Sequence, residues 1–469
     1  MDLFGTAGVR GSVPGDVDTS LALGVGRAVA HVARDGADGG PPTGEPTVVV
    51  GHDARTTGPA LAGAVAAGLQ SAGATVRRLG RVATPVLAFA ASGRDEPRRG
   101  VMVTASHNPP ADNGLKLFVD GAEYDAAAER AVADRRETGA VDWRAWRSAT
   151  GDGDREVSHY RDAVVDYARE HGAPLDGLPV VVDAGNGVAG ATTPRALRAL
   201  GAHVVALDAN PDGTFPGRRP KPTPSSLSRT RAVVADGPAV LGVAHDGDGD
   251  RVAVLDGKGD LVHEDTVLAI LAEHYVACAV DAGASDPVVV TTPNASGRVD
   301  ERVRAAGGRV ERTALGTIHE GVAAARDAGA TVAFAGEPWK HCHPAFGPWL
   351  DGTATAAVLA RLVAAEGLSA LREPVTERPY RKASVDCPAG AKGPAMARLE
   401  RSLPEAFPAA ALDAEHGLRL TFPDGSWLLC RPSGTEPKLR LYVESDRVED
   451  LLATAETVVA DAVAAAHDE

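Results

Sequence analysis

The chain has 469 residues, of which 44% are hydrophobic, and its formal net charge is −15. This length exceeds what one hydrophobic core can organise, and it predicts three or four soluble domains. The acidic balance disfavours a nucleic-acid-binding protein or one that binds anionic membrane surfaces.

Neither a membrane span nor a secretory leader is expected. The Ala-rich run 353–365 is too short for a bilayer and is interrupted by Arg361. Residues 1–5 lack a basic start and an apolar segment, so the cytoplasm is the expected location. The four cysteines are scattered without metal-ligand spacing, which disfavours a disulfide framework. Only 7 of the 48 basic residues are lysines, and this acidic, Ala-rich composition favours a salt-adapted organism.

Three segments of the chain share one layout. Each has a β-branched strand, a polar turn, an amphipathic helix, a glycine stop and a second strand, which is the signature of a βαβ unit. Strands this apolar are expected to be buried on both faces of a parallel sheet. The paired strands fall at 47–53 and 73–76, at 180–183 and 201–205, and at 288–291 and 307–310.

Each segment continues to one more strand that ends in an unusual polar loop. The three loops follow strands at 101–103, 240–244 and 331–335. Reactive loops of α/β proteins gather at the carboxyl ends of the strands, so these loops are expected at corresponding positions of three similar domains.

The predicted domain boundaries follow from these repeats. Three α/β domains are expected at 1–150, 151–252 and 253–367. The remainder, 368–469, lacks the repeated opening and carries short strands and a final helix from Val448, which predicts a smaller α+β domain.

The loop after the second repeat places three carboxylates on alternate residues, Asp246, Asp248 and Asp250, with glycines between them. Oxygen ligands of this kind suit Mg²⁺ or Ca²⁺. An EF-hand is the rival, but Gly257 occupies the position where its bidentate glutamate belongs. A solvated acidic loop is the remaining alternative, although clustered carboxylates repel each other unless a cation neutralises them.

The first loop carries Ser106 and His107 at a strand end, and by themselves they do not exclude an ordinary polar junction. Lys116 follows ten residues later and could fold back over the serine, or it could be a solvated surface lysine. The glycine-rich segment 5–11 could bring Arg10 into a site, or it could be a flexible terminus.

Two further loops suit a phosphorylated sugar. Residues 431–440 combine two arginines with Ser433, Gly434 and Thr435, groups that can bind phosphate, although an exposed basic turn would read the same way. Residues 336–341 offer the Glu337 carboxylate for hydroxyls beside the indole of Trp339, and a purely structural role is equally compatible.

Taken together, the loops resemble the signatures of the α-D-phosphohexomutase superfamily, the phosphoglucomutases, phosphomannomutases and phosphoglucosamine mutases. The resemblance covers essentially the whole chain and also suggests a haloarchaeal member. The four loops appear in order as Thr104-Ala105-Ser106-His107-Asn108-Pro109, Asp246-Gly247-Asp248-Gly249-Asp250-Arg251, Gly336-Glu337-Pro338-Trp339-Lys340-His341 and Arg431-Pro432-Ser433-Gly434-Thr435-Glu436-Pro437, with Phe4-Gly5-Thr6-Ala7-Gly8-Val9-Arg10-Gly11 resembling the opening loop.

The resemblance implies a heart-shaped molecule of four domains around a central cleft, and it assigns roles to the loop residues. Ser106 is expected to carry the phosphoryl group and, through it, to complete a Mg²⁺ site with the three aspartates. Proton-transfer roles are implied for Arg10, Lys116 and His341. Substrate contacts are implied for Arg251 (which also steadies the metal loop), Glu337, Trp339, Arg431, Ser433, Gly434, Thr435 and Arg440.

The implied activity is the interconversion of hexose 1- and 6-phosphates, glucose or mannose, through a phosphoserine enzyme and a 1,6-bisphosphate that also serves as activator. One departure is visible, because Trp339 and Lys340 replace the Ser-Gly pair usual in the family's sugar loop. The alternatives are a phosphoglucosamine mutase, a Ser-dependent sugar phosphatase and a non-catalytic sugar-phosphate-binding homologue. Partners are expected to be small sugar phosphates, and the protein is expected to be a monomer or homodimer.

Overall fold

The computed structural model of the protein describes residues 4–5, 8–93, 98–434 and 436–467. The chain divides into two compact units, the first made of Met1–Val267 with Phe334–Leu371 and the second of Leu268–Ala333 with Arg372–Glu469. Among the described residues, no helix combines the length and apolarity needed to cross a membrane.

The first sheet is mixed and has the order β1-β5-β4-β2-β3-β7, with β6 paired to β5. Its strands β2, β3 and β4 are parallel, whereas β5 runs antiparallel to β4 and to β1. The elements are β1 (Val9–Ser12), α1 (Thr19–Asp35), β2 (Thr47–His52), α2 (Gly58–Ser71), β3 (Thr75–Arg81), α3 (Thr84–Ala91), β4 (Arg99–Val103), β5 (Asp112–Val119), β6 (Ala122–Glu123), α4 (Ala126–Arg135), a 3₁₀ turn (Trp143–Ala145) and β7 (Ala149–Gly151).

The second sheet repeats this layout with the order β12-β11-β10-β8-β9, in which β10, β8 and β9 are parallel and β11 is antiparallel to β10. The elements are α5 (Gly153–Arg169), β8 (Pro179–Asp183), a 3₁₀ turn (Val188–Ala191), α6 (Thr193–Ala199), β9 (His203–Leu207), α7 (Ser228–Ala235), β10 (Leu241–His245), β11 (Val252–Asp256) and β12 (Leu261–Val262).

The third sheet has the order β14-β13-β15-β16, and the fourth, wholly antiparallel, has the order β17-β21-β20-β19-β18. The elements are α8 (Glu264–Asp281), β13 (Pro287–Thr291), α9 (Gly297–Ala305), β14 (Arg309–Arg312), α10 (Ile318–Asp327), β15 (Thr331–Glu337), β16 (Lys340–Cys342), α11 (Gly352–Glu366), α12 (Leu368–Arg372), β17 (Tyr380–Asp386), a 3₁₀ turn (Ala389–Ala391), α13 (Lys392–Ala406), β18 (Ala411–Asp413), β19 (Leu418–Thr421), β20 (Trp427–Pro432), β21 (Lys438–Glu444) and α14 (Val448–His467).

The predicted fold class is confirmed, with three α/β domains and a C-terminal domain that has an antiparallel sheet. One expectation needs correction. The opening strands β8 and β13 are buried, but their second strands β9 and β14 are partly exposed because both lie at sheet edges. The domain boundaries at 150, 252 and 367 stay a prediction.

Helices α1 and α2 cover one face of the first sheet and lie very close to each other. Asp18 caps α1 by accepting a hydrogen bond from the Leu21 N–H at 2.7 Å, and Gly36 ends it in the left-handed conformation. A Cβ atom added at Gly68 of α2 would lie 2.1 Å from the Leu23 carbonyl oxygen of α1. The close approach of the two backbones therefore requires glycine at position 68.

Candidate active site

Ser106 lies in the loop that follows β4, and this loop turns sharply. Ser106 has φ of 51°, an unusual value for a residue other than glycine, and none of its surface is exposed. Its N–H donates to Thr104 Oγ1 at 2.8 Å. Its Oγ donates to Asp246 Oδ2 at 2.6 Å and lies 3.3 Å from His107 Nδ1. The loop thus directs the serine hydroxyl at the first carboxylate of the acidic loop, residues 246–251.

The acidic loop joins β10 to the antiparallel β11. Gly249 adopts φ of 75°, and the turn brings the carboxylates of Asp246, Asp248 and Asp250 within 4.8 Å of one another. The three residues are at most 1% exposed. The Oδ1 atoms of Asp248 and Asp250 are buried and have no hydrogen-bond partner among the described residues. Buried carboxylate oxygens left without donors are what a divalent cation requires, so the donor set fits Mg²⁺.

The three carboxylates differ in their electrostatic surroundings. Burial, followed by the neighbouring Asp248 and Asp250, raises the pKa of Asp246. Burial would do the same to Asp250, but Lys116, Lys340 and Arg251 hold the pKa of Asp250 well below its usual range. Asp250 is therefore ionised at neutral pH and carries most of the contacts with cationic side chains.

Lys116 reaches the acidic loop from β5. Its register opposite Met102 of β4 aligns its strand with the one that leads to Ser106. Its Nζ donates to Asp250 Oδ2 at 2.7 Å and lies 3.6 Å from both Asp248 and Glu123. Lys116 is only 1% exposed, and although burial opposes its charge, Asp250 in particular keeps its pKa above the ordinary lysine value.

The predicted sugar loop, residues 336–341, contains the end of β15, the turn at 338–339 and the start of β16. An isolated bridge joins Arg251 to Lys340, and the Val252 N–H donates to the Trp339 carbonyl oxygen at 2.9 Å, so this loop borders the acidic loop. Lys340 Nζ donates to Asp250 Oδ2 at 3.2 Å. Trp339 has φ of 78°, and its side chain packs with buried Leu227, Ala244 and Ala253. The structure thus places the partly buried Trp339 side chain against a small core.

The other predicted site residues of the first unit differ in their burial, hydrogen bonding and charged neighbours. Arg10, on β1, has buried Nε and Nη2 atoms without a hydrogen-bond partner in the described part of the chain. His341 is 1% exposed, and burial lowers its pKa to about 3, so it is neutral at physiological pH. Arg251 Nε lies 3.5 Å from Asp246 and 3.9 Å from Asp250. Glu337 lies opposite Lys340 in the antiparallel register of β15 and β16.

The loop that contains Ser106, residues 104–112, is called the serine loop. A cavity of about 920 Å³ lies on its His107 side. One wall is formed by His107, Pro109 and Pro110, and the opposite wall by residues between 217 and 228, which include Lys221. Burial, followed by the positive charges of Arg251, Arg10, Lys340 and Lys221, lowers the pKa of His107 to about 2. This combination gives the cavity a positive potential suited to anions.

The predicted phosphate loop, 431–437, belongs to the second unit and is described within it. Arg431 donates to the Tyr442 hydroxyl at 3.0 Å, and Arg440 forms an ion pair with Glu436 at 2.6 Å. Lys392 Nζ, at the start of α13, donates to the carbonyl oxygens of Ser433 at 2.6 Å and Glu436 at 2.7 Å. Gly434 follows Ser433 in this loop, and Thr435 lies outside the described residues, as do Thr6 and Ala7 of the opening segment.

Sequence reasoning missed several groups that hold these loops. Arg55 is almost fully buried and donates to backbone carbonyls of the serine loop, and Lys392 does the same for the phosphate loop. Asp53 accepts from Arg55 and from Thr104. The only available signal was Asp53-Ala54-Arg55 directly after a buried strand, where charged residues often carry function.

Sequence models of one family match four parts of the chain. They are described as phosphoglucomutase/phosphomannomutase alpha/beta/alpha domain I, at residues 1–141, domain II, at 158–259, domain III, at 263–379, and the C-terminal domain, at 389–461.

Relatives and a solved structure agree with this match over nearly the full length. A protein of Thermococcus kodakarensis named phosphopentomutase is 37% identical over 95% of this chain and 94% of its own. A probable phosphoglucosamine mutase of Methanosphaera stadtmanae is 35% identical over 96% of this chain and 95% of its own. The crystal structure of a phosphoglucomutase/phosphomannomutase family protein from Burkholderia thailandensis has a TM-score of 0.82 and 28% identity, covering 99% and 98% of the two chains.

Proposed function

Because this chain belongs to the phosphoglucomutase/phosphomannomutase family of phosphomutases, we propose that it interconverts hexose 1-phosphates and hexose 6-phosphates, with glucose or mannose as the sugar. Ser106 carries the phosphoryl group, and a hexose 1,6-bisphosphate is both intermediate and activator. The observation that carries the proposal is the 2.6 Å hydrogen bond from Ser106 Oγ to Asp246 within a cluster of three buried carboxylates.

The acidic loop supports a phosphoryl carrier better than a hydrolytic nucleophile. Asp246, Asp248 and Asp250 would hold Mg²⁺, and the phosphoryl group on Ser106 would offer it a further oxygen. When bound, the ion supplies positive charge that neutralises the loose transition state of phosphoryl transfer. Asp250 keeps its negative charge because Lys116, Lys340 and Arg251 surround it.

In the proposed reaction, a sugar hydroxyl oxygen forms a new P–O bond while the bond between phosphorus and Ser106 Oγ breaks. The hydroxyl proton leaves at the same time. His341 is the proposed acceptor of this proton because it is neutral at physiological pH, although burial lowers its pKa to about 3 and makes it a weak base in the unliganded protein, whereas Lys116 and Arg10 contribute positive charge. The resulting bisphosphate turns round, and its other phosphoryl group returns to Ser106.

Contacts with the sugar phosphate are assigned as follows. Glu337 would accept hydrogen bonds from sugar hydroxyls, and Arg251 would steady the acidic loop and the phosphoryl group. The cavity beside His107 is large enough for a sugar phosphate, since ligand pockets commonly measure about 300–1,000 Å³. The phosphate that is not transferred would be bound by Arg431, Ser433, Gly434, Thr435 and Arg440.

A pentose phosphate is the second candidate substrate, and glucosamine phosphate is a third. The Trp339 side chain packs against a small core, and the Lys340 ammonium donates to Asp250, so neither replaces the serine hydroxyl usual in the sugar loop. Loss of that contact favours a sugar with different hydroxyls. The Thermococcus relative is named phosphopentomutase and the Methanosphaera relative a probable phosphoglucosamine mutase, which supports testing both.

The test is a coupled mutase assay on glucose, mannose, glucosamine and ribose phosphates with a trace of the matching bisphosphate. We expect turnover of glucose or mannose phosphate by the wild type, and none by Ser106→Ala, which should still bind the sugar phosphate. Release of free phosphate without isomerised product would indicate a phosphatase. Turnover by the Ser106→Ala variant would refute the phosphoserine assignment.

A further inference from the structure

Arg55 occupies the centre of the serine loop without contacting any predicted catalytic side chain. It follows β2 by three residues and is 1% exposed. Its guanidinium donates to four main-chain carbonyl oxygens and so spans the loop from end to end. The acceptors are Ser106 at 3.0 Å, Asn108 at 2.8 Å, Pro109 at 2.5 Å and Asp112 at 2.8 Å.

The fifth partner of Arg55 links it to the other side of the same loop. Arg55 Nε forms a buried ion pair with Asp53 at 3.1 Å, and Asp53 accepts a hydrogen bond from Thr104 Oγ1 at 2.7 Å. Thr104 Oγ1 in turn accepts the N–H of Ser106 at 2.8 Å. Arg55 thus fixes the Ser106 carbonyl directly and the Ser106 N–H through two intermediaries.

The second repeat contacts this arrangement closely. The Phe215 ring lies 5.5 Å from the Arg55 guanidinium carbon, and a Cβ added at Gly247 would lie 2.6 Å from the Ser106 carbonyl oxygen. The main chain of the acidic loop therefore approaches the carbonyl that Arg55 holds. A shift of the serine loop would change the distance from Ser106 Oγ to Asp246.

An equivalent arginine holds the acidic loop. Arg218 forms a buried ion pair with Asp183, at the end of β8, at 2.9 Å, and donates to the His245 carbonyl oxygen at 2.7 Å. Asp183 is the last residue of one opening strand and Asp53 directly follows the other, so the two repeats have equivalent Asp-Arg pairs. This recurrence indicates that the arginines position the loops as well as filling space.

We propose that Arg55 is a positioning residue for phosphoryl transfer, which sets the conformation of residues 104–112 so that Ser106 Oγ faces Asp246. The inference rests on the proposed function of Ser106. Arginine suits the task because its planar fork satisfies several carbonyls at once and stays charged at all physiological pH values. A conformation with φ of 51° at Ser106 needs such external support, since it is costly for a residue other than glycine.

The test compares Arg55→Lys and Arg55→Met with the matched pair Arg99→Lys and Arg99→Met. Arg99 is as buried as Arg55 and pairs with Asp38 at 2.7 Å, but its main-chain acceptor is Pro41, away from Ser106. Thr104→Val is added because it removes the link to the Ser106 N–H with little change in volume. Each variant is assayed for melting temperature, kcat, KM, magnesium affinity and the fraction of phosphorylated Ser106 by mass spectrometry.

We expect kcat to fall by about 100-fold in Arg55→Lys, because a misplacement of about 1 Å can cost that much. Thr104→Val should show a smaller fall, KM and magnesium affinity should change little, and the phosphorus NMR shift of the phosphoserine should move. Arg99 variants should melt earlier but keep kcat per folded molecule. Equal effects on kcat in the Arg55 and Arg99 variants, or a normal kcat in soluble Arg55→Lys and Thr104→Val, would overturn the proposal.

Failure of the proposed function gives a different result. If the wild type carries no phosphoryl group on Ser106 and Ser106→Ala remains active, the function assigned to Ser106 is wrong, whatever the Arg55 variants do. If Ser106→Ala is inactive and soluble Arg55→Lys turns over normally, only the positioning role is wrong. If Arg55→Lys does not fold, Thr104→Val alone decides, because normal kcat in that variant refutes the role.

Discussion

Lys116 and Lys340 donate to the same atom, Asp250 Oδ2, at 2.7 Å and 3.2 Å. Two ammonium groups on one buried carboxylate oxygen keep the acidic loop largely neutralised in the absence of a metal ion. The family resemblance implies a proton-transfer role for Lys116, whereas Lys340 replaces the glycine that is usual in the family's sugar loop.

Replacing Lys340 with methionine should strengthen the binding of Mg²⁺. The ammonium competes for Asp250 and repels a dication, and repulsion of about 2 kcal/mol is expected at roughly 4 Å even in bulk water, which corresponds to about 30-fold in affinity. Titration calorimetry with MgCl₂ measures the change. Lys258→Met, which removes an exposed lysine elsewhere in the first unit, should bind Mg²⁺ like the wild type. Weaker binding by Lys340→Met would show that Lys340 supports the metal site.

Replacing Lys392 with methionine should raise KM several-fold and leave kcat nearly unchanged. Lys392 holds the carbonyls of Ser433 and Glu436, and a loop that binds the non-reacting phosphate contributes equally to the ground state and the transition state. Steady-state kinetics measures the split. Arg401→Met, on the exposed side of the same helix, serves as the control. A fall in kcat with normal KM would assign Lys392 to the chemical step.

Substitution by alanine should have opposite effects on stability at two glycines of α2. Nothing lies within 4 Å of a Cβ at Gly63, so Gly63→Ala should stabilise the protein by about 0.5–1 kcal/mol through helix propensity. At Gly68 the same change meets the Leu23 carbonyl oxygen and forces α1 and α2 apart, with a cost of about 1–3 kcal/mol. Urea unfolding of both variants measures the difference. If Gly68→Ala were as stable as Gly63→Ala, the inferred close approach of α1 and α2 at Gly68 would be incorrect.

The protein should lose stability in mild acid because of His341. Burial lowers its pKa in the folded state to about 3, against 6.5 ordinarily. As pH falls below about 6.5, His341 of the unfolded chain binds a proton but His341 of the folded chain does not. The free energy of unfolding therefore falls by about 1.4 kcal/mol per pH unit. His341→Gln should show a flatter profile in urea unfolding between about pH 6.5 and pH 5. His203→Gln, on the exposed part of β9, should keep the wild-type slope.

The sequence was sufficient to predict elements with strong periodicity. The valine runs at 48–50, 180–182 and 288–290 mark strands that the structure contains, and α14 begins at Val448 as expected. The repeat predicted loops at corresponding strand ends, and the family resemblance implied that Ser106 would share a site with Asp246, to which its Oγ donates at 2.6 Å.

Contacts with backbone carbonyls could not be predicted, since any residue offers a carbonyl and no side-chain pattern marks it. Arg55 and Lys392 hold their loops in this way, so the residues whose carbonyl oxygens they bind cannot be identified from the sequence. The direction of Lys340 was also beyond prediction, because it depends on the turn conformation set by Trp339 at φ of 78°. Such orientations are decided by tertiary packing, which local sequence does not encode.

The complete burial of Ser106 limits the routes by which the proposed phosphoserine could form. A protein kinase or phosphatase must take an extended peptide into its own catalytic groove, and a serine with no exposed surface behind Asp246 cannot be delivered to one without unfolding the end of β4. A small sugar bisphosphate, unlike a protein, is of a size to enter the cavity of about 920 Å³ beside His107. Loading and repair of the phosphoserine would therefore depend on metabolite supply, outside the control of signalling enzymes.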